Sequence, residues 1–449
     1  MKNSRRDFLK VSGAIAAGSA IVTPFSSYGF NSSVNDTIKV ALIGCGGRGT
    51  GAAAQALSTK QNVQVVAMAD VFQDRLDGAY KSLTTKKYTD SAGKPVDTTT
   101  KVNVPEDRRF VGFDAYKKAI AIPEVDVVIL TAPPGFRPSH FEEAVKHKKH
   151  IFMEKPVATD VPGVRKVLEM AEIAKKNKLN VVVGLQRHYQ PNYLEAVKRI
   201  HDGAIGDIVG GQVYWVGSSP WVKDREPGQT EMEYQLRNWY YFNWLCGDHI
   251  VEQHVHNIDV ANWVKNAYPV EIQGTGGRQV RSGPRFGEIY DHHILDMVYS
   301  DGTIISSQCR QFEGCWNRVD EGFVGTKGRI DSFANNATVL KKYGNGGVIY
   351  SHNSKNDGNP YQIEHDVLFE AIAKGEYKFA DGENGAKSTL TGIMGRLATY
   401  SGKVVKWDEA LKSEINLFPD HLAWDASPKI LPDSNGLYPA AVPGKSVVV

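Results

Sequence analysis

One apolar run ends in Met153-Glu154-Lys155-Pro156, and about a hundred residues later three histidines crowd into His249-Ile250-Val251-Glu252-Gln253-His254-Val255-His256. Groups of these types move protons. A lysine ammonium can hydrogen-bond a substrate hydroxyl and stabilise charge developing on its oxygen. An imidazole, with an ordinary pKa near 6.5, can take the proton. Glu252 lies four residues before His256, one helical turn away on the same face, where its carboxylate can orient the ring. Taking a proton from a hydroxyl oxidises nothing unless another group accepts the hydride.

The residues for that second task come earlier. Gly44-Cys45-Gly46-Gly47-Arg48-Gly49 follows the apolar run Ile38 to Ile43 and precedes a small-residue segment from Thr50 to Leu57. Strand, glycine loop and helix, with an acidic residue about 20 positions further on, is the context in which this spacing binds a dinucleotide. The glycines permit a tight turn and close backbone approach, and the helix N-terminus offers free N–H groups to a pyrophosphate. Asp70 ends the next strand, where it can accept hydrogen bonds from both adenosine-ribose hydroxyls. It would repel a 2′-phosphate, so NAD is expected rather than NADP. Arg48, Glu154 and Gln186 are grouped with Gly44, Gly46, Gly47, Gly49 and Asp70 as cofactor-contacting residues.

The elements that must position these groups alternate in the first half. Strands are expected at 38–43, Val63 to Ala69, Val125 to Leu130, His150 to Met153 and Val181 to Gly184, with helices between them, one capped by Ser139. That rhythm indicates an α/β fold with a parallel, doubly wound sheet. A polar insertion spans 84–100. Period-2 runs follow at Val209 to Val216, Glu288 to Tyr299 and Thr303 to Cys309, pointing to a second α/β domain with a large, mostly antiparallel sheet. Helices are expected around Gln362 to Lys374 and Ala386 to Tyr400, then a Pro-, Asp- and Ser-rich tail as irregular surface coil. The expected divisions are a signal peptide at 1–30, a dinucleotide domain at 36–185, a substrate-binding and catalytic domain at 186–407 and a tail at 408–449.

The chain has 449 residues, 41% hydrophobic and 23% charged, with a formal net charge of +3. Without a long basic run, a nucleic-acid partner is not expected. Ser4-Arg5-Arg6-Asp7-Phe8-Leu9-Lys10 before the mildly apolar Val11 to Val22 reads as a twin-arginine export signal, which moves folded proteins and implies a periplasmic location. No membrane association beyond export is expected. Outside the cytoplasm no nicotinamide pool recharges an enzyme, so the cofactor should be held tightly and returned to its starting redox state. The four cysteines do not form a disulfide framework, although a Cys309–Cys315 bridge is open. The histidine trio lacks the carboxylate context of a metal site, and none is expected. The aromatics from Tyr214 to Trp244 could stack on sugar faces or pack in a core. Trp221 and Tyr241 are the candidates for the pocket, and Arg225, Glu226, Glu231 and Arg237 could bind hydroxyls.

The glycine loop with Asp70, Glu154-Lys155-Pro156, Gln186-Arg187-x-x-x-Pro191, Gly203-x-x-Gly206-Asp207 and Ser401-Gly402-Lys403-x-x-x-Trp407 together resemble the glucose-fructose oxidoreductase, inositol dehydrogenase and rhizopine-catabolism family. The resemblance runs from about Thr37 to Trp407. It implies an N-terminal Rossmann domain, a C-terminal α/β domain whose open sheet walls the active site, and hydride transfer on a sugar or polyol. The family signature Gly-Gly-x-x-x-Asp-x-Gly-x-His-x-x-Asp aligns with Gly247 to Asp259, with Glu252 in place of the Asp and His254 in place of a glycine. The resemblance thus casts Lys155 and His256 as catalytic, Glu252 as the carboxylate that orients His256, and Arg187 and His254 as substrate neighbours. It further implies a homo-oligomer, dimer or tetramer. A related branch, glycoside hydrolase family 109, uses the same fold for redox-neutral cleavage through transient oxidation, elimination and re-reduction, and is the alternative activity.

Overall fold

The computed structural model describes residues 37–333 and 337–447. The expected signal peptide lies outside the described residues. Six parallel strands build the first sheet: β1 (Ile38–Ile43), β2 (Val63–Asp70), β3 (Arg109–Val111), β4 (Val127–Leu130), β5 (His150–Met153) and β6 (Val181–Val183), in the order β3-β2-β1-β4-β5-β6. All four residues of β4 are buried, as continuous apolar runs must be in a sheet covered on both faces. The strand order reverses between β1 and β4, which opens a crevice beyond their C-terminal ends.

The second sheet has nine strands: β7 (Ile208–Gly217), β8 (Glu271–Gly277), β9 (His292–Val298), β10 (Ile304–Gln311), β11 (Arg318–Gly325), β12 (Gly328–Ile330), β13 (Ala337–Lys342), β14 (Val348–Asn353) and β15 (Val405–Lys406). Their order is β14-β13-β12-β11-β7-β10-β9-β8-β15, and every pairing is antiparallel except β7 with β10. The chain is therefore α/β with a parallel sheet and a second, mostly antiparallel one.

Two helices tie the sheets together. Helix Gly382–Ser401 buries 17 of its 20 residues, packing on helix Val161–Lys176 of the first half and on β8 and β9 of the second. Its Ala386, Leu390, Ile393 and Met394 join one apolar core with Ile43 and Leu130 from the first sheet and Leu295 and Met297 from the second. Helix Pro360–Ala373 crosses back in space. Its Leu368 and Phe369 pack with Val40, Leu42 and Phe152 of the first sheet, although 174 residues of chain separate it from residue 185. Deleting the Phe369 ring would cost about 3–5 kcal/mol, the usual range for a buried phenylalanine, so this docking is integral to the first domain.

Some boundaries differ from the sequence reading. The helix expected from Ser139 begins at Arg137, and Ser139 Oγ donates to the Phe136 carbonyl within its first turn instead of capping it. The strand expected from Glu288 begins at His292, because the Tyr290 amide donates to Asp248 and the chain there serves a buried polar cluster before joining the sheet. The insertion at 84–100 contains a small hairpin, Tyr88–Thr89 with Pro95–Val96. All four cysteines are free, so Cys309 and Cys315 form no bridge. The tail is irregular, yet not merely surface coil: Phe418 packs edge-on against Phe136 and Trp244, and Trp424 against Phe72 and Phe113.

Candidate active site

A cleft of about 700 Å³ opens at the switch point between the domains, lined by the glycine loop on one wall and by Trp215, Glu252 and His256 on the other. Gly44, with φ of 93°, sits where a Cβ would overlap the Ala132 backbone, and a Cβ on Gly49 would overlap the Gly44 carbonyl. Beside Gly46 and Gly47 a Cβ meets nothing within 4 Å, so the space above this helix start is open. No side chain caps helix Gly47–Leu57, which leaves its first N–H groups facing that space. Thr131 Oγ1 donates to the Gly44 carbonyl at 2.7 Å and pins the loop to the end of β4. These features fit a dinucleotide pyrophosphate.

Asp70 also lines the cleft, its carboxylate accepting the Cys45 amide at 2.6 Å and the Phe72 amide at 2.9 Å. Burial raises its pKa, against those two hydrogen bonds. Arg75, which the sequence reading did not single out, lines the cleft one turn of helix beyond.

Arg48 turns away from a pure phosphate role. It donates to Glu154, to Gln55 Oε1 at 2.7 Å and to Glu364 at 3.2 Å. Burial opposes its charge, but the two carboxylates outweigh that and hold it protonated. Glu364, fully buried beside Glu154, is driven far above the usual carboxylate range by burial and by that neighbour. Glu364 and the cleft-lining Tyr361 come from helix Pro360–Ala373, and no local pattern in the sequence could have placed them here.

Across the cleft, Lys155 at the end of β5 meets Glu252 at the end of the short helix His249–Glu252. Their side chains are 14% and 13% exposed, enough to admit a substrate hydroxyl while excluding bulk water. His256, in the first turn of helix Val255–Lys265, lines the same cleft and stacks on Trp215 with ring centroids 5.8 Å apart. Burial, then the charges of Lys155 and Arg187, push its pKa well below the usual range, so the imidazole is neutral. Gln253, between the two, also lines the cleft and accepts from Gln311 at 2.7 Å. It lies within the aligned signature, where residue type marks only its titratable neighbours for proton chemistry.

The structure brings together Gly44, Gly46, Gly47, Arg48, Gly49, Asp70, Glu154, Lys155, Glu252, His256 and Trp221 around this one cleft. Four other expected residues lie elsewhere. Arg187 is buried in an ion pair with Glu321 at 2.6 Å. His254 is buried against Ser307 Oγ at 2.7 Å, its side chain taken into the core where the aligned glycine would have left none. Tyr241 is fully buried, its hydroxyl donating to the Pro220 carbonyl. Gln186 sits in a short 3-10 turn off the lining. Of the aromatic stretch, Trp215, Trp221 and Trp239 reach the cleft, while Tyr234, Tyr240, Phe242 and Trp244 form a separate apolar core.

Arg237 closes the end of the cleft beside Phe72. It forms two 2.8 Å hydrogen bonds to Asp74 of the first domain and lies 3.7 Å from the Phe72 ring centre. Trp424 packs on that same ring at 5.5 Å, so tail and second domain together fasten the mouth of the cleft. Arg225 and Glu231, by contrast, pair with each other and with Tyr438, while Glu226 is exposed at a turn.

Comparison with known proteins agrees with this geometry. The model of an oxidoreductase family with an NAD-binding Rossmann fold matches residues 38–185, and that of the GFO/IDH/MocA C-terminal domain matches residues 193–331. An uncharacterized oxidoreductase of Streptococcus pneumoniae is 26% identical over 56% of this chain, which spans 65% of that protein's length. The inositol 2-dehydrogenase of Rubrobacter xylanophilus is 24% identical over 66% of this chain and 71% of its own. A glycosyl hydrolase family 109 protein of Shewanella baltica is 25% identical over 52% of this chain and 49% of its own. In fold, the aldose-aldose oxidoreductase of Caulobacter crescentus superposes with a TM-score of 0.62 at 20% identity, covering 83% of this chain and all of the other.

Proposed function

Because the chain belongs to the GFO/IDH/MocA oxidoreductase family, we propose that it oxidises or reduces a sugar or polyol with a tightly held NAD. The observation that carries this reading is the convergence of Lys155 and His256 on the cleft that the glycine loop opens. When bound, the nicotinamide supplies the hydride acceptor. Lys155 holds the reacting oxygen and offsets its charge, neutral His256 takes the hydroxyl proton, and Glu252 orients the ammonium. Trp215, Trp221 and Trp239 give the cleft apolar faces of the kind on which sugar C–H groups stack. Asp70, placed to accept from a ribose diol, favours NAD over NADP.

A second reading, redox-neutral glycoside cleavage, draws support from the family 109 relative. One assay separates them. Purified protein is incubated with candidate sugars and with aryl glycosides, following absorbance at 340 nm and aglycone release. An oxidoreductase stops after one turnover per site, with at most one equivalent of reduced nucleotide, unless an acceptor sugar reoxidises it or free NAD is added. Sustained aglycone release with no added nucleotide establishes the hydrolase instead, and neither signal from a broad panel rejects both.

We also infer export by the twin-arginine route, on Arg5-Arg6 and its flanks. An Arg5→Lys, Arg6→Lys double variant should stay in the cytoplasmic fraction while the wild type reaches the periplasm. Equal distribution of the two would overturn the reading.

A further inference from the structure

We propose that Asp248, His249 and His293 form a buried site for one divalent first-row transition ion, zinc being the first candidate, behind the helix that carries Glu252. The sequence reading set metal aside by considering His249, His254 and His256 as a trio. The fold separates them. His254 goes to Ser307 and His256 to the cleft, whereas His249 meets Asp248 and, from β9, His293.

The three residues are 0% exposed, and each offers a ligand atom within 4.8 Å of the others. The Nε2 atoms of His249 and His293 are both buried without a hydrogen-bond partner. Leaving the His293 Nε2 unpaired in a dry interior is costly, and native proteins rarely do so without a ligand. The opposite ring nitrogens are held: His249 Nδ1 by Asp248 Oδ1 at 2.8 Å, His293 Nδ1 by Thr399 Oγ1 at 2.9 Å. His293, fixed at Nδ1 by Thr399 with its Nε2 toward Asp248, has the arrangement that orients metal-ligating imidazoles, and His249 faces the same carboxylate through Nδ1. The two rings lie 4.9 Å apart, and His293 Nε2 stands 3.4 Å from Asp248 Oδ2.

Charge supplies an independent argument. The ion-pair partners of Asp248 among the described residues are His249 and His293 alone. The nearby guanidiniums are committed elsewhere, Arg396 to the Thr159 and Gly247 carbonyls and Arg281 to Tyr290 and Gln311. A buried carboxylate needs a compensating cation, and a divalent ion between one carboxylate and two imidazoles provides it. Asp248 also holds φ at 72°, a conformation costly for any residue but glycine, and it falls on a glycine of the aligned signature. Its carboxylate meanwhile accepts from Tyr400 at 2.5 Å, which brings a further oxygen to the cluster. None of the three residues lines the cleft, so the ion is structural. It joins β9 to the start of helix His249–Glu252 and so steadies Glu252.

The test uses full-length protein without a histidine tag, produced in medium supplemented with zinc, iron, manganese and cobalt and dialysed against metal-free buffer. Elemental analysis should find about one equivalent of metal per chain, falling below a tenth in His249→Gln and His293→Gln. After chelator treatment, adding cobalt(II) alone should give a visible absorption band that saturates at one equivalent in the wild type and is missing in both variants. Metal-free wild-type protein with no saturable cobalt band overturns the proposal, and that measurement stands even where a variant fails to fold. Full metal retention in a folded double variant overturns it as well, since the ion would then be bound elsewhere.

Discussion

Lys155 reaches across the domain boundary to Glu252, donating from Nζ to the carboxylate at 2.9 Å and to the main-chain carbonyl of the same residue at 2.5 Å. The ammonium is thereby parked at the cleft wall with its charge balanced and one donor left for a substrate oxygen. It also couples the domains, because Lys155 follows a strand of the first sheet while Glu252 belongs to the second domain.

Replacing Lys155 or His256 by Ala should lower kcat by about 10²–10⁴-fold, the usual weight of one proton-transfer group. Nucleotide content after purification should be unchanged, since neither residue touches the glycine loop. Activity near wild type in His256→Ala would remove it from the chemistry and make Gln253 the next residue to examine.

The acid limb of kcat/KM should lie well below the ordinary histidine range near pH 6.5, because burial and the neighbouring charges of Lys155 and Arg187 keep His256 neutral. A limb at pH 6.5 or above would mean that the ring is solvated in the working enzyme.

Asp70→Ala should relax the preference for NAD. The two amide hydrogen bonds hold its carboxylate at the cleft, and Arg75 stands nearby to receive a 2′-phosphate once the repulsion is gone. The NAD/NADP affinity ratio should fall by at least about 10-fold, equivalent to about 1.4 kcal/mol. Competitive displacement of a fluorescent nucleotide measures it, and an unchanged ratio would sink the assignment.

Arg237→Ala should speed loss of bound nucleotide roughly 10-fold. Its ion pair with half-exposed Asp74 is worth under about 1 kcal/mol after solvent screening. The stacking over Phe72 adds about as much. Stopped-flow displacement by excess unlabelled NAD reports the rate. No change would show that this end of the cleft is closed by the tail alone.

Glu288 sets a pH dependence of stability. It is buried, and desolvation raises its pKa to about 7 despite a hydrogen bond from the Asn243 amide. A carboxyl whose pKa is higher folded than unfolded gives its full stability below the unfolded value and loses it as pH rises through the folded one. The loss therefore falls between about pH 4.5 and 7 and amounts to about 3 kcal/mol. Glu288→Gln should match the wild type at pH 5 and exceed its melting temperature at pH 8. An equal difference at both pH values would contradict the titration.

The sequence by itself determined five of the six strands of the first sheet, all but the edge strand Arg109–Val111, and the residue types at its cleft. Strand, glycine loop, helix and terminal acid are local features, and β1 and β5 run from Ile38 to Ile43 and His150 to Met153 as their apolar runs indicate. Lys155, Glu252 and His256 were legible as residues of the cleft, because titratable types at that spacing stand out in the sequence. Tertiary structure decided which residues share a space. Helix Pro360–Ala373 returns to the first domain, carrying Glu364 to Arg48 and Tyr361 to the cleft, because its apolar face finds Val40, Leu42 and Phe152. Arg187, His254 and Tyr241 sit in or near the right stretches of chain, yet the second sheet buries them against Glu321, Ser307 and the Pro220 carbonyl. His249 and His293 come together only because β9 packs behind the helix start at Asp248. Periodicity assigns a residue to a face of its own element. Which element lies opposite that face is set by the packing of the whole core.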